Sequence, residues 1–206
     1  MQPRMPRRPV QDQGSLHADD DAGLGAELAA VVAGARRRAV RDGDRQVDTA
    51  HLLHSLIEYD PEVRAAIGDA PQLARLLGYL VQRSIGYGLR WQDGVEDSGA
   101  LPAAPRAAVK GDGTWSPTAA AALRYARGRA ARRGGAGPAD GTDLLAGLVV
   151  DPRSRAVEVL ERAGVAARAL AARVDRDGEG DGDGGGDGGT DGGMWDAGAQ
   201  RRTSSR

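Results

Sequence analysis

Four apolar positions spaced i, i+1, i+4 and i+5 occur twice in the chain. They are Leu52, Leu53, Leu56 and Ile57, and then, about 92 residues later, Leu144, Leu145, Leu148 and Val149. On a helix each set makes one stripe that has to be buried. A longer pattern precedes each stripe: Leu28, Val31, Val32, Ala35 and Ala39 in the first copy, and Ala119, Ala122, Leu123, Ala126 and Ala130 in the second. Both follow i, i+3, i+4, i+7 and i+11, and Gly43 and Gly134 stand at their ends as helix stops. The shared offsets over two helices and a loop mark an internal repeat.

The rest of each copy is also helical in period. Leu73, Leu76, Leu77, Leu80 and Val81 predict a helix in the first copy, after a short and poorly matched segment near Ala65 to Ala70. In the second, Ala156, Val157 and Leu160 form a helix ended at Gly164, and Val165, Ala169, Leu170 and Val174 form the last one. Asp48 or Thr49 is placed to cap the helix of the first stripe, and Ser116 to cap the helix that Pro117 opens. The expectation is an all-α fold of two pseudo-symmetric four-helix repeats, without β-sheet. Repeat one spans 24–85, an irregular linker spans 86–113, and repeat two spans 114–174.

Residues 1–22 carry prolines, arginines and the acidic run Asp19 to Asp21 with no periodicity, which predicts a disordered arm. From 176 to 206 the chain turns Asp/Gly-rich and is expected to be a flexible acidic tail, since it cannot bury enough apolar area to offset its ordering entropy. Trp91, in the linker, is expected to pack back on the domain. With no phenylalanine and 3% aromatics, the core has to be built from aliphatic residues and alanine, which calls for closely approaching helices.

A formal net charge of -1 argues against a dedicated nucleic-acid surface. Cysteine is absent, which excludes a disulfide framework, a thiol nucleophile and a thiolate-bound metal, and fits a reducing cytoplasm. No apolar run reaches membrane-spanning length, and the N-terminus lacks the apolar core of an export signal, so a cytoplasmic location is expected. The only lysine, Lys110, is followed by Gly111, so there is no phosphate-binding Gly-Lys-Ser/Thr loop, and G-x-S-x-G does not occur. A non-catalytic protein without cofactor is expected. His51, His54 and Glu58 could face one side of a helix as metal ligands. His54 would sit beside the leucine stripe, and the second copy has Asp143 and Ala146 at the histidine positions, so no metal is expected there. The Asp/Gly tail lacks the bidentate glutamate of a calcium loop. Arg36 to Arg38 and Arg127, Arg129, Arg132 and Arg133 could meet nucleic acid, but no aromatic residues interleave with them. They read as solvated helix faces.

Trp115-Ser116-Pro117, the small residues leading to Gly43 and Gly134, and the segment Val47, Thr49, His51, Leu52, Leu53 and Leu56 together resemble the N-terminal substrate-recognition domain of the Clp ATPases, also called the Clp R domain. The helix pair from Val159-Leu160 to Gly164-Val165 follows the same pattern, so the resemblance covers roughly residues 24 to 174. It implies a stand-alone protein-binding module that engages a Clp ATPase, an adaptor or a degradation substrate. Its contacts would be made at the helix starts through Thr49, Ala50, Ser116 and Thr142. Family members that recognise phosphorylated arginine carry a glutamate where this chain has Ala50 and Thr142, so phosphoarginine is not an expected ligand. Gly25 stands where the family has threonine, and no ATPase module accompanies the domain in this sequence. The alternative is an arginine-rich helical DNA-binding or transcription-regulatory protein.

Overall fold

In the computed structural model, residues 23–85, 94–97, 114–133 and 137–180 are described. The expected N-terminal arm, Trp91, Gly134 and the chain after Gly180 lie outside these residues. The described chain is all-α. The helices are α1 (Ala26–Asp42), α2 (Thr49–Tyr59), α3 (Pro61–Ile67), α4 (Ala70–Ser84), α5 (Pro117–Arg132), α6 (Gly141–Val149), α7 (Arg155–Arg162) and α8 (Ala167–Gly180).

The helix ends follow from local chemistry. Gly43, at φ 74°, lets the chain leave α1, and Asp44 N–H returns to Ala39 O at 2.9 Å. Asp48, rather than Thr49, caps α2: its carboxylate accepts from His51 N at 3.0 Å, while Asp48 N donates to His51 Nδ1 at 3.1 Å. This is a capping box with histidine in the place that glutamate usually takes. Asp140 and Asp143 make the same reciprocal pair at α6. Ser116 Oγ accepts from Ala119 N at 3.0 Å and Pro117 opens α5. Asp60 caps α3 through Glu62 N and Val63 N.

Both predicted stripes are in the core. α2 buries nine of its eleven residues and touches α1 and α3 to α7, while α6 packs on α5, α7 and α8. Two glycines set how closely the helices approach. A Cβ on Gly147 of α6 would lie 2.5 Å from Ala122 O of α5, and one on Gly34 of α1 would lie 3.0 Å from Ser55 Oγ of α2. This is the close approach expected of a core poor in aromatic residues.

The lead-in segments pair across the chain. Leu24, before α1, bridges Ala139, before α6, with Gly25 N donating to Ala139 O at 2.9 Å and Ala139 N to Gly23 O at 3.0 Å. β1 (Gln46–Val47), before α2, runs parallel to β2 (Thr114–Trp115), before α5, and Ser116 N donates to Val47 O at 2.8 Å. This β pairing was not expected from the sequence. Extended residues leading into buried helix starts need backbone partners, and each segment finds them on the other.

Two more expectations are corrected. α8 runs on to Gly180 instead of ending near Val174, and Arg129 fastens the expected boundary by donating to Val174 O at 2.6 Å and pairing with Asp175. Several arginines expected to be solvated are engaged within the fold: Arg38 pairs with Glu58, the Arg36 guanidinium lies 5.0 Å from the Trp115 ring centroid, and Arg133 binds Asp143 at 2.5 Å. Among the described residues, no helix is long and apolar enough to cross a membrane.

Candidate functional site: a carboxylate held at three helix starts

The pairing of β1 with β2 places the starts of α2 and α5 side by side, and α7 begins against α2. The first N–H groups of a helix have no partner within it. Here they converge on one carboxylate, that of Glu96, a residue only 6% exposed between the exposed Gly94, Val95 and Asp97. Glu96 Oε1 accepts from the Thr49 hydroxyl and from Arg155 N at 2.7 Å. Oε2 accepts from Thr49 N at 2.9 Å and from Ser116 Oγ at 2.8 Å. The Thr49 hydroxyl in turn accepts from Ala156 N at 3.0 Å. The Glu96 carbonyl accepts from Thr118 Oγ1 at 3.2 Å. Two of these donors are first-turn N–H groups of α2 and α7 and the start of α5 adds the Ser116 hydroxyl, so the positive ends of helix dipoles stabilise the anion.

A second layer of charge supports these starts. Asp48 accepts from Arg83 Nη2 at 2.5 Å and from Arg155 Nη1 at 2.7 Å, and Arg155 Nη2 donates to Gly94 O at 2.5 Å. Arg83 also reaches Asp44 at 3.0 Å. Burial pushes the Asp48 carboxyl up, but His51, Arg83 and Arg155 outweigh it and hold it well below the usual carboxylate range. Burial likewise pushes His51 down, and the bonds to Asp44 and Asp48 outweigh it and raise the imidazole above its ordinary 6.5. Nδ1 lies 3.1 Å from Asp48 N and 2.8 Å from Asp48 Oδ1, so the neutral ring accepts the N–H and the charged ring donates to the carboxylate.

Thr49 and Ser116 therefore come together, but not in an open pocket: both are buried and both are bonded to Glu96. Ala50 is 0% exposed and belongs to the core, so it does not meet solvent. Thr142 is elsewhere, its hydroxyl donating to Asp140 Oδ1 at 2.7 Å. Beside it a cleft of about 430 Å³ opens between the start of α1 and the α2–α3 corner, lined by Gly25, Glu27, Tyr59, Asp60, Pro138 and Gly141. Gly25 gives α1 no side-chain cap. A Cβ at Gly141 would fall 1.8 Å from Asp60 Oδ2, so the Asp60 carboxylate fills the space of a side chain there. Glu96, Thr118 and Arg155 were not anticipated. Arg155 follows the capping Ser154, which was a signal available in the sequence, whereas Glu96 sits in an irregular stretch with no pattern around it.

His51, His54 and Glu58 do not converge. His54 Nε2 lies 3.9 Å from Glu58, while His51 turns toward Asp44 and Asp48. Asp44, Asp48 and His51 offer ligand atoms within 4.8 Å of one another, but the Arg83 guanidinium already bonds both carboxylates and lies 3.2 Å from His51 Nε2.

His54 provides a pH test. Burial, then the Arg38 charge, pushes its imidazole down to about 4 from 6.5. A depressed folded value means stability that is present above 6.5 and is lost as pH falls toward 4. Between pH 7.5 and 5 that loss is about 2 kcal/mol. His51, raised, works in the opposite sense: its contribution is full below 6.5 and lost as pH rises through its folded value. Urea unfolding of His54→Gln, which keeps His51, is therefore expected to show about 2 kcal/mol less acid sensitivity over that range than the parent. Equal acid sensitivity in the two proteins would contradict the assignment.

No protein-family model matches the chain, and no curated protein matches it. Among solved structures, the fold is similar to that of a chain described as "Preliminary structural investigations of a malarial protein secretion system". The TM-score is 0.55 at 17% identity, over 77% of this chain and 96% of that one. At that identity the likeness concerns the fold alone.

Proposed function

We propose that this protein is a non-catalytic, protein-binding module of the Clp N-domain type. On this reading it acts in the cytoplasm, without cofactor, and engages a Clp ATPase, an adaptor or a degradation substrate in regulated proteolysis or chaperone work. The observation that carries this reading is the meeting of the two motif segments. Val47-Asp48-Thr49 and Trp115-Ser116-Pro117 pair through β1 and β2 and present donors to an acidic side chain. The reciprocal lead-in pairing supports reading the eight helices of the described residues as two copies about a pseudo-twofold axis. The solved structure of similar fold is described in terms of a protein secretion system, which is in keeping with a protein-handling role. The open cleft beside Tyr59, which is 51% exposed, adds a surface that a partner can reach.

The test is affinity capture from native cytosol with the full chain as bait. Recovery of a Clp ATPase or peptidase at physiological salt is the expected result. Capture of no Clp component, together with salt-sensitive binding to duplex DNA, would replace this reading with the nucleic-acid one.

A further inference from the structure

We propose that the open cleft beside Tyr59 is a docking site for an arginine-bearing, proline-rich extended segment, and that its occupant is the stretch 3–9 of this same chain. The proposal stands on the cleft and on the sequence of the arm, and does not depend on the Clp reading.

The cleft combines two chemistries. One is apolar: Tyr59, 51% exposed, is held against α1 at Gly34, where an added Cβ would lie 3.1 Å from its Cε2, and Pro61 and Pro138 line the same cleft. The other is acidic: Glu27, Asp60, Glu62 and Asp140 line the cleft, and no lysine, arginine or histidine does. Asp60 is partly used by the α3 cap and Asp140 by Arg133 at 3.1 Å. Glu27 and Glu62 are exposed and pair with no cation among the described residues. The starts of α1, α3 and α6 each add about half a positive charge or less, so the four carboxylates leave the cleft negative. An exposed aromatic ring beside unpaired carboxylates suits a cationic peptide in the polyproline II conformation, whose prolines dock on aromatic surfaces.

The sequence supplies such a peptide at the edge of the cleft. Pro3, Pro6 and Pro9 recur at intervals of three, the period of a polyproline II helix, which would set them on one face, Arg4 and Arg7 on the next and Arg8 on the third. The first ten residues carry these three arginines and no acidic residue. Where the described chain begins, Gly23 O accepts from Ala139 N at 3.0 Å and Gly25 lies in the cleft wall, so the arm departs from the cleft itself. The 13 residues from 10 to 22 lie between, and a chain of that length spans about 20 Å r.m.s., enough to return to its point of departure. Tethered in this way, the segment acts at an effective concentration in the millimolar range. The rival for the same arginines is the run Asp19 to Asp21, which offers charge but no aromatic surface for the prolines. A partner that uses the cleft therefore competes with the arm.

The test compares the full chain with a triple variant, Arg4→Ser, Arg7→Ser and Arg8→Ser, whose changes lie outside the described helices. In amide NMR spectra the variant is expected to move the Glu27, Glu62 and Gly141 signals and to leave those of Thr49 and Leu145 in place. Unmoved cleft signals, or movement confined to Asp19 to Asp21, would overturn the proposal. By calorimetry, the peptide acetyl-Gln-Pro-Arg-Met-Pro-Arg-Arg-Pro-Val-amide, residues 2–10, should bind the triple variant about tenfold tighter than the parent, whose own arm competes. Equal affinity for the two proteins, or no binding to either, would count against an occupied cleft. Adding Glu27→Gln and Glu62→Gln to the triple variant should weaken the peptide about tenfold, and a peptide with alanine at its three prolines should bind about threefold more weakly. Unchanged affinity in either case would remove the chemistry on which the match rests. Cleft signals in the parent that shift with protein concentration would assign the cleft to the arm of a second copy, against the occupant named here. Peptide binding reports on the cleft alone and capture of Clp components on the function, so each can fail without the other.

Discussion

Asp48→Ala is expected to destabilise the protein by about 3–5 kcal/mol, the range for removing one partner of a buried ion pair. The Asp48 carboxylate, 1% exposed, receives Arg83 at 2.5 Å, Arg155 at 2.7 Å and the α2 capping bond from His51 N at 3.0 Å. Alanine would leave two guanidinium groups facing each other across the joint between the halves, and α2 without its cap, a loss worth about 1 kcal/mol by itself. Asp48→Asn should cost less, because an amide oxygen can still accept from His51 N. Chemical denaturation decides the matter, and an Asp48→Ala protein within about 1 kcal/mol of the parent would show that the cluster contributes little. Acid should erode the same contribution: the depressed Asp48 carboxyl gives stability that is full above its ordinary 3.8 and is lost as pH falls below it.

Gly147→Val should be of similar severity, about 3 kcal/mol or more, for a different reason. A Cβ at that position would sit 2.5 Å from the carbonyl oxygen of Ala122 and 3.2 Å from its Cα, and these are backbone atoms that cannot rotate away. α5 and α6 would have to part along their whole contact. Even Gly147→Ala should lose about 1–2 kcal/mol net, although alanine gains about 1 kcal/mol in helix propensity over glycine. Gly78, inside α4 with nothing within 4 Å of an added Cβ, is the control: Gly78→Ala should stabilise by up to about 1 kcal/mol. If both alanine variants moved the melting temperature in the same direction, the close approach at Gly147 would not be what limits the packing.

The parts of this structure that could be read in the sequence are those decided within a few residues. The stripes of α2 and α6, the stop at Gly43 and the caps at Asp48 and Ser116 follow from helical spacing and from side chains bonding their own helix start. Asp143 replaces His51 in the second copy, and both turn out to serve as the N3 partner of a capping box. The candidate site was only half legible. Thr49 and Ser116 were visible because they sit at helix starts, but their shared ligand lies 47 residues from one and 20 from the other. No periodic signal marks a single glutamate between exposed neighbours. Arg83 was hidden for the same reason: it reads as one more charge on an amphipathic helix, and its burial depends on Asp44 and Asp48, far away in the chain. The extension of α8 to Gly180 also depends on a distant residue, Arg129, which anchors Val174 and Asp175.

The crossed lead-ins have a consequence for how the molecule comes apart. Leu24 is completed by Ala139 and Val47 by Trp115, so each half supplies the backbone bonds that the other needs at its helix starts. Neither half can melt without stripping the other of buried partners, and the cost of that exposure ties the two into one cooperative transition. A chain ending after the first four helices would leave Leu24 and Val47 with unmet backbone groups, and another copy of itself is the surface best shaped to meet them.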